Sequence, residues 1–179
     1  MRLRGVAVDQ HVVALGRPIV RRERGSRIQI GQSVTLVSSS RDTALGVSRP
    51  VILRTLCSGA AIEIGADCGL SGTTICAVTS VSIGQRVLLG ADVLIADTDF
   101  HVVDRLPRRF DAIPMARPDD AVVIEDDVFV GARAIVLKGV RIGHGSVIGA
   151  GSLVTEDVPP NVVAAGSPCK PIRSLRLQS

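Results

Sequence analysis

The strongest constraint on the fold is a six-residue repeat in the last third of the sequence. An aliphatic residue returns at every sixth position, and a small or β-branched residue follows four places after each one. Glycine often stands directly after the aliphatic residue, as at Gly131, Gly143 and Gly149. A six-residue period fits neither an α-helix nor a simple two-sided strand, so we expect the chain to turn a corner once per repeat. The aliphatic positions are Ile124, Val130, Val136, Ile142, Ile148 and Val154.

The same pattern occurs earlier in the chain. It reads Ile64, Leu70, Cys76 and then, after one extra residue, Ile83, Leu89 and Ile95, with an outlying copy at Ile30. We expect each glycine to mark a corner, because a residue without a Cβ adopts conformations that others avoid. Three repeats would close a triangular coil of about eighteen residues, and coils would stack as parallel strands. The sequence therefore predicts an all-β fold, a parallel β-helix forming a single domain over residues 1–179.

Composition narrows the possible partners. The apolar content of 46% is enough for a core, but the chain has no Trp or Tyr and only three Phe. Aromatic side chains that stack on bases are thus scarce, and we predict no nucleic-acid partner. No apolar run reaches the length of about eighteen residues that spans a bilayer, and the N-terminus lacks the apolar block of a signal peptide, so we predict no membrane span and a cytoplasmic location. The net charge of +4 suits an anionic ligand or simply a solvated face.

Cysteine and histidine spacing argues against a metal site. The four cysteines match no metal-binding spacing, and Cys68 and Cys76 fall at expected small inward positions, which favours reduced core thiols. The histidines His11, His101 and His144 lack the spacing of a zinc site. We predict no metal.

The repeat breaks at "IADTDFHVVD", where His101 stands at the next expected inward position after Asp97 and Asp99. The arginine-rich segment that follows keeps no period, so we predict a protruding loop at about 102–120, of a length that is usually functional or disordered. A short C-terminal tail is expected at 166–179. A neutral imidazole, with an ordinary pKa near 6.5, can accept a proton from a hydroxyl at neutral pH. The alternative is a polar residue that closes a coil.

Several segments carry a resemblance to a known family. "VIGAGS", "VPPNVVAAG" and "PCKPIR" are similar to the end of the galactoside and maltose O-acetyltransferases, and "GLSGTTI" through "ADTDFH" resembles the sugar O-acetyltransferases of surface-polysaccharide pathways. Over about residues 58 to 176 the chain resembles the hexapeptide-repeat acyltransferases. The resemblance implies a left-handed coil and a homotrimer whose sites combine His101 of one subunit with coil residues of the next. It also implies direct transfer of an acetyl group, in a ternary complex, from acetyl-CoA to a hydroxyl of a sugar or sugar-containing intermediate.

The resemblance also implies roles for individual residues. His101 would be the general base, with Asp97 or Asp99 orienting its ring. Phe129 stands where relatives usually have Trp and would shape the acceptor pocket, or else cap the coil edge. A non-catalytic β-helix scaffold or binding module remains the alternative function. The acetyl-CoA positions would be Ala132, Ala150, Thr155, Lys170 and Arg173. The charges of the loop arginines Arg105, Arg108 and Arg109 predict contacts with an acceptor that carries phosphate or carboxylate; the alternative is a solvated flap that only excludes water.

Overall fold

The chain winds into a parallel β-helix with three sheets, in a computed structural model that describes residues 6–176. Strands are numbered in chain order. The chain visits sheet A, then sheet B, then sheet C in each coil, and it turns at an A–B, a B–C and a C–A corner. Sheet A contains β1 (Ala7–Val8), β4 (Arg27–Ile30), β7 (Ala61–Ile64), β10 (Ser80–Ile83), β13 (Val122–Ile124) and β16 (Arg141–Ile142).

The other two sheets follow the same order. Sheet B contains β2 (Val13–Leu15), β5 (Thr35–Val37), β8 (Gly69–Ser71), β11 (Leu88–Leu89), β14 (Phe129–Val130), β17 (Val147–Ile148), β19 (Val162–Gly166) and β20 (Cys169–Ser174), of which β20 alone is antiparallel to its neighbour. Sheet C contains β3 (Ile19–Arg21), β6 (Ile52–Thr55), β9 (Thr74–Ala77), β12 (Leu94–Ala96), β15 (Ile135–Val136) and β18 (Leu153–Val154). No helix among the described residues is long and apolar enough to cross a bilayer.

The predicted inward positions form the core. Every aliphatic residue of the run from Ile124 to Val154 is at most 1% exposed, and the small or β-branched residues four places later are buried as well. Val123 pairs with Arg141, which confirms the coil of about eighteen residues. Burying an aliphatic side chain contributes roughly 1.5–3 kcal/mol, so the stacked Ile, Leu and Val side chains supply most of the stabilisation.

The predicted phase is wrong at Cys76. Ile75 is fully buried, whereas Cys76 is half-buried on the outer side of sheet C. Side chains alternate across a strand, and β9 pairs Ile75 with the inward Ile95, so the strand register turns Cys76 outward. Cys68 is buried as predicted, and all four cysteines are free.

The glycines serve a different purpose from the one predicted. Gly65 and Gly131 do not have a positive φ; a Cβ at Gly65 would lie 2.4 Å from the carbonyl oxygen of Gly84, and one at Gly131 would lie 2.6 Å from the nitrogen of Ala150. The backbone of the next coil passes too close for any side chain. The left-handed conformation falls two residues later, at Asp67 (φ 59°) and Arg133 (φ 59°).

Two long insertions leave the coils at corners. Residues 38–51 join sheet B to sheet C, and residues 97–121 join sheet C to sheet A. They contain only short 3₁₀ turns, at Ser40–Asp42, Arg108–Phe110 and Pro118–Asp120. Pairing resumes on the far side of each insertion, as Leu36 pairs with Leu70 and Ile83 with Ile124. The insertions therefore add surface without disturbing the core.

Candidate active site

His101 lies at the beginning of the second insertion. Strand β12 ends at Ala96, and the chain then leaves the prism through a turn in which the Phe100 N–H donates to the Thr98 hydroxyl at 3.1 Å. Phe100 takes a positive φ of 61°. His101 is consequently exposed, and the expectation that it occupies an inward position is wrong, because the chain has already turned outward.

Asp97 is buried and bound to backbone. Its two carboxylate oxygens accept hydrogen bonds from the N–H groups of Val78 and Thr79, each at 2.7 Å. Burial raises the pKa of this carboxyl, and the backbone hydrogen bonds act in the opposite direction. Asp97 thus fastens the C–A corner of the preceding coil. Among residues 6–176, neither Asp97 nor Asp99 forms a hydrogen bond or ion pair with His101.

Asp99 instead belongs to a cluster that sequence reasoning missed. The Lys138 ammonium lies 2.6 Å from a carboxylate oxygen of Asp99 and 3.6 Å from one of Asp120, at the other end of the insertion. The hydrogen bond to Asp99, strengthened by the charge of Asp120, raises the pKa of Lys138. The sequence did offer a signal, since Lys138 is one of two lysines in an arginine-rich chain.

A groove runs along the B–C corner. It has a volume of about 420 Å³ and brings together two of the predicted acetyl-CoA positions, Ala132 and Ala150, from consecutive coils. The tip of the first insertion, Leu45 and Gly46, borders the groove. Its other lining residues are Ala91, Asp92, Arg133 and Gly151. The small side chains leave room for an extended ligand chain.

The remaining predicted acetyl-CoA positions lie elsewhere. Thr155 is exposed directly after β18, at the C–A corner, and the next residue, Glu156, pairs with Lys170 at 2.7 Å. Arg173 lies on β20, opposite Val163 of β19. Thr155 and Lys170 are therefore neighbours in the last coil, whereas neither they nor Arg173 line the groove.

The predicted acceptor residues are on the surface. Arg105 lies 3.6 Å from Asp111, Arg108 donates to the Val103 carbonyl at 2.9 Å, and Arg109 lies over the ring of Phe110. Phe129 is 43% exposed on the outer face of sheet B. It pairs with Leu88 on one side and Val147 on the other, so it belongs to an apolar stripe.

One chain does not bring His101 to the groove. The groove residue Ala91 precedes β12 and His101 follows it, so they occupy different corners of the prism. At about 3.3 Å per residue, sheet C alone keeps these corners roughly 10 Å or more apart. The outer faces of sheets B and C, on either side of the groove, expose apolar side chains, including Leu88, Phe129 and Ile135.

Within residues 6–176, no group of three His, Cys, Asp or Glu side chains is placed to hold a metal ion.

Comparison with known proteins identifies relatives. A family model described as hexapeptide repeat of succinyl-transferase matches residues 121–156. The galactoside O-acetyltransferase of Lactococcus lactis is 50% identical over 91 residues, which make up 51% of this chain and 42% of that enzyme. A solved galactoside acetyltransferase in complex with coenzyme A is 33% identical with a TM-score of 0.59, covering 73% of this chain and 62% of that one. A hexapeptide-repeat-containing acetyltransferase from Vibrio cholerae, complexed with acetyl coenzyme A, is 26% identical with a TM-score of 0.51, covering 97% of this chain and 73% of that one.

These matches confirm the predicted fold, which is a left-handed parallel β-helix of hexapeptide repeats. They also confirm the resemblance to the hexapeptide-repeat sugar O-acetyltransferases. The chain spans less than half the length of the first curated relatives that it matches.

Proposed function

We propose that this protein is an acetyl-CoA-dependent O-acetyltransferase that acetylates a hydroxyl of a sugar or sugar-containing intermediate. One observation carries the proposal: an exposed histidine, His101, opens an inserted arginine-rich loop on a β-helix that is 50% identical, over 91 residues, to a galactoside O-acetyltransferase. A scaffold would need neither the loop nor the basic residues near its last coil. The free thiols of all four cysteines suit a cytoplasmic location.

The groove fits part of the donor. Ala132 and Ala150 leave space for the narrow pantetheine arm, and neither side chain competes for its amide groups. The phosphates of acetyl-CoA need cations, which Lys170 and Arg173 can supply. Lys170 would exchange Glu156 for a phosphate, and both partners are exposed enough for this exchange to cost little.

His101 would act as the general base. Its imidazole accepts the proton of the acceptor hydroxyl as the oxygen attacks the thioester carbonyl, and it returns that proton to the sulfur of coenzyme A as the C–S bond breaks. A positioned base contributes about 10²- to 10⁴-fold, and holding both substrates together adds to this. The 97–121 insertion contains no cysteine, and none lines the groove among the described residues, so direct transfer in a ternary complex is favoured over an acyl-enzyme.

Asp99 is the better candidate for orienting His101. Asp97 uses both carboxylate oxygens on backbone N–H groups, whereas Asp99 is exposed two residues before the imidazole and pairs with Lys138 through one of its two carboxylate oxygens. A carboxylate beside the ring would stabilise the imidazolium formed during the reaction.

The site would be completed by a second subunit. Because His101 and the groove lie at different corners of one chain, we propose a homotrimer in which His101 of one subunit faces the groove of the next. The apolar faces of sheets B and C are suitable for such contacts.

Turnover by the purified protein tests this proposal against a scaffold. Free thiol released from acetyl-CoA is measured with a panel of free, nucleotide-linked and lipid-linked sugars. We expect acceptor-dependent thiol release that is lost in His101→Ala. A protein that binds acetyl-CoA but acetylates no hydroxyl in the panel, or turns over equally well without His101, would favour the scaffold or another mechanism.

A further inference from the structure

We propose that Lys138 is a positioning residue that joins the two ends of the 97–121 insertion and thereby fixes His101. The inference rests on the proposed function only for the role of His101; the brace itself is independent of it.

The geometry places one cation between the two ends of the insertion. Asp99 lies two residues before His101, Asp120 lies at the other end of the insertion, and the Lys138 ammonium contacts both carboxylates at 2.6 and 3.6 Å. The side chains are 36%, 38% and 20% exposed for Lys138, Asp99 and Asp120 respectively, so the cluster is only partly screened by solvent. Lys138 itself lies in the C–A corner of the next coil, two residues after the end of β15, between the buried Val136 and Val140.

Hydrogen bonds to the backbone also attach both ends of the insertion, but on the side of His101 they end at Asp97. The Gly139 N–H donates to the Asp120 carbonyl at 2.8 Å, and the Thr79 hydroxyl donates to the Arg117 carbonyl at 3.1 Å. These bonds hold the far end of the insertion. Between Asp97 and His101, the ion pair of Asp99 with Lys138 attaches the chain to the neighbouring coil. Removing the ammonium would release Asp99 while Asp97 stays attached, and would leave the carboxylates of Asp99 and Asp120 without the cation between them.

His101 depends on this attachment. Only three residues separate His101 from Asp97, whose carboxylate is held by backbone N–H groups. Asp99 is the middle one of the three. Holding Asp99 therefore restricts where the imidazole can lie. Because a misplacement of about 1 Å can cost 10²-fold in rate, a brace at this point affects catalysis without touching substrate.

Limited trypsin digestion of the full-length protein tests the brace without any substrate. Cleavage after Arg105, Arg108 and Arg109 is followed by mass spectrometry in wild type and in Lys138→Met. We expect cleavage to be at least tenfold faster in the variant, with the midpoint of thermal unfolding within a few degrees of wild type. Lys138→Arg should restore most of the protection.

Arg86→Met is the matched control. Arg86 also bridges two carboxylates, those of Asp127 at 2.6 Å and Asp126 at 3.9 Å, but at the A–B corner, far along the coil from the insertion. Loop cleavage should not change in this variant. Equal acceleration in both variants, or none in Lys138→Met, overturns the brace. If Lys138→Met does not fold, Asp120→Asn provides the same comparison and should accelerate loop cleavage at least threefold.

Kinetics then separate the brace from the proposed function. Lys138→Met should lower kcat about tenfold while leaving the Kd of acetyl-CoA within twofold, and Lys138→Arg should recover most of kcat. Faster loop cleavage in a protein that shows no turnover even as wild type would support the brace and contradict the proposed function. Faster cleavage with unchanged kcat would contradict the role in positioning His101.

Discussion

His101 and Asp97 stand four residues apart but differ in what they can do. Asp97 is buried and its carboxylate is occupied by the N–H groups of Val78 and Thr79, so exchanging a proton would break the corner that it holds. His101 is exposed and has no such partner in the described part of the chain. Of these two residues, only His101 is free to reach a ligand.

Replacing His101 with Ala should lower kcat at least a hundredfold, because the hydroxyl loses its base. The Kd of acetyl-CoA, measured by calorimetry, should stay within a few-fold, since the imidazole acts on the acceptor's proton. His144→Ala is the control, because His144 is an exposed histidine at a different corner, beside Glu125. Near-normal turnover in His101→Ala would show that another group removes the proton.

The position of a side chain was predictable where the repeat determines it, but not where contacts between distant residues determine it. The inward positions from Ile124 to Val154 follow from spacing alone. The inward position predicted for Cys76 is wrong because side chains alternate along β9, and the pairing of β9 with β12, rather than the six-residue count, determines which of them point inward. Lys138 and Asp120 are far from His101 in sequence, and only the folded coil brings Lys138 to both ends of the insertion.

The corner glycines of the coils distinguish two physical effects, which are steric crowding by the next coil and strain of a left-handed backbone. Gly65 has an ordinary φ but no room for a Cβ, whereas Gly59 has a φ of 83° with nothing within 4 Å of an added Cβ. We expect Gly65→Ala to lower the free energy of unfolding by about 2–3 kcal/mol through overpacking against the Gly84 carbonyl. Gly59→Ala should cost only about 1–2 kcal/mol, from left-handed strain. Denaturant melts of both variants measure this, and the reverse order would mean that conformation rather than stacking limits the coil.

The arginines of the 97–121 insertion are expected to bind the acceptor. Arg108 donates to a backbone carbonyl and Arg109 lies over a ring, so neither guanidinium charge is neutralised by these contacts. Such charges suit an acceptor with a phosphate or carboxylate. Reversing Arg105, Arg108 and Arg109 to Glu together should raise the KM of the acceptor at least tenfold and that of acetyl-CoA less than threefold, in steady-state assays with each substrate varied.

A control variant with the same change in net charge distinguishes direct contact with the acceptor from a general electrostatic effect. Reversing Arg17, Arg22 and Arg24, which are exposed in the first coils, changes the net charge by the same amount. This variant should leave the acceptor KM within twofold at 0.15 M salt, where distant charges are screened. An equal rise in both variants, or equal effects on both substrates, would leave the insertion as a flap that only excludes water.

For the whole molecule, the separation of His101 from the groove determines how activity depends on assembly. If each site combines two subunits, His101→Ala and Ala150→Trp chains are each inactive but complement one another. An equal mixture refolded together should recover up to about a quarter of wild-type activity, because one interface in four joins an intact histidine to an intact groove. Sedimentation should give a trimer. A mixture with no activity, or an active monomer, would place the whole site within one chain.

The overall architecture was predictable to the extent that it is repetitive. Six consecutive copies specify the coil, and composition agrees with it, since a narrow prism has no room for rings. Before Ile64, the repeat is interrupted by residues 38–51, so only the copy at Ile30 could be recognised, although the described part of the chain already has a coil strand at Ala7. The groove could not be predicted, because part of its wall comes from the tip of that insertion.

Strand pairing that resumes on the far side of each insertion has a consequence for how such a protein can be altered. A corner segment that lies outside the ladder costs mainly loop-closure entropy, which grows by only about 0.6 kcal/mol for each doubling of its length. The arginine-rich segment could therefore be exchanged for one of different length and charge while Ile83 still pairs with Ile124. Under the proposed function, acceptor preference and thermal stability would then be separately adjustable by grafting segments onto this one prism.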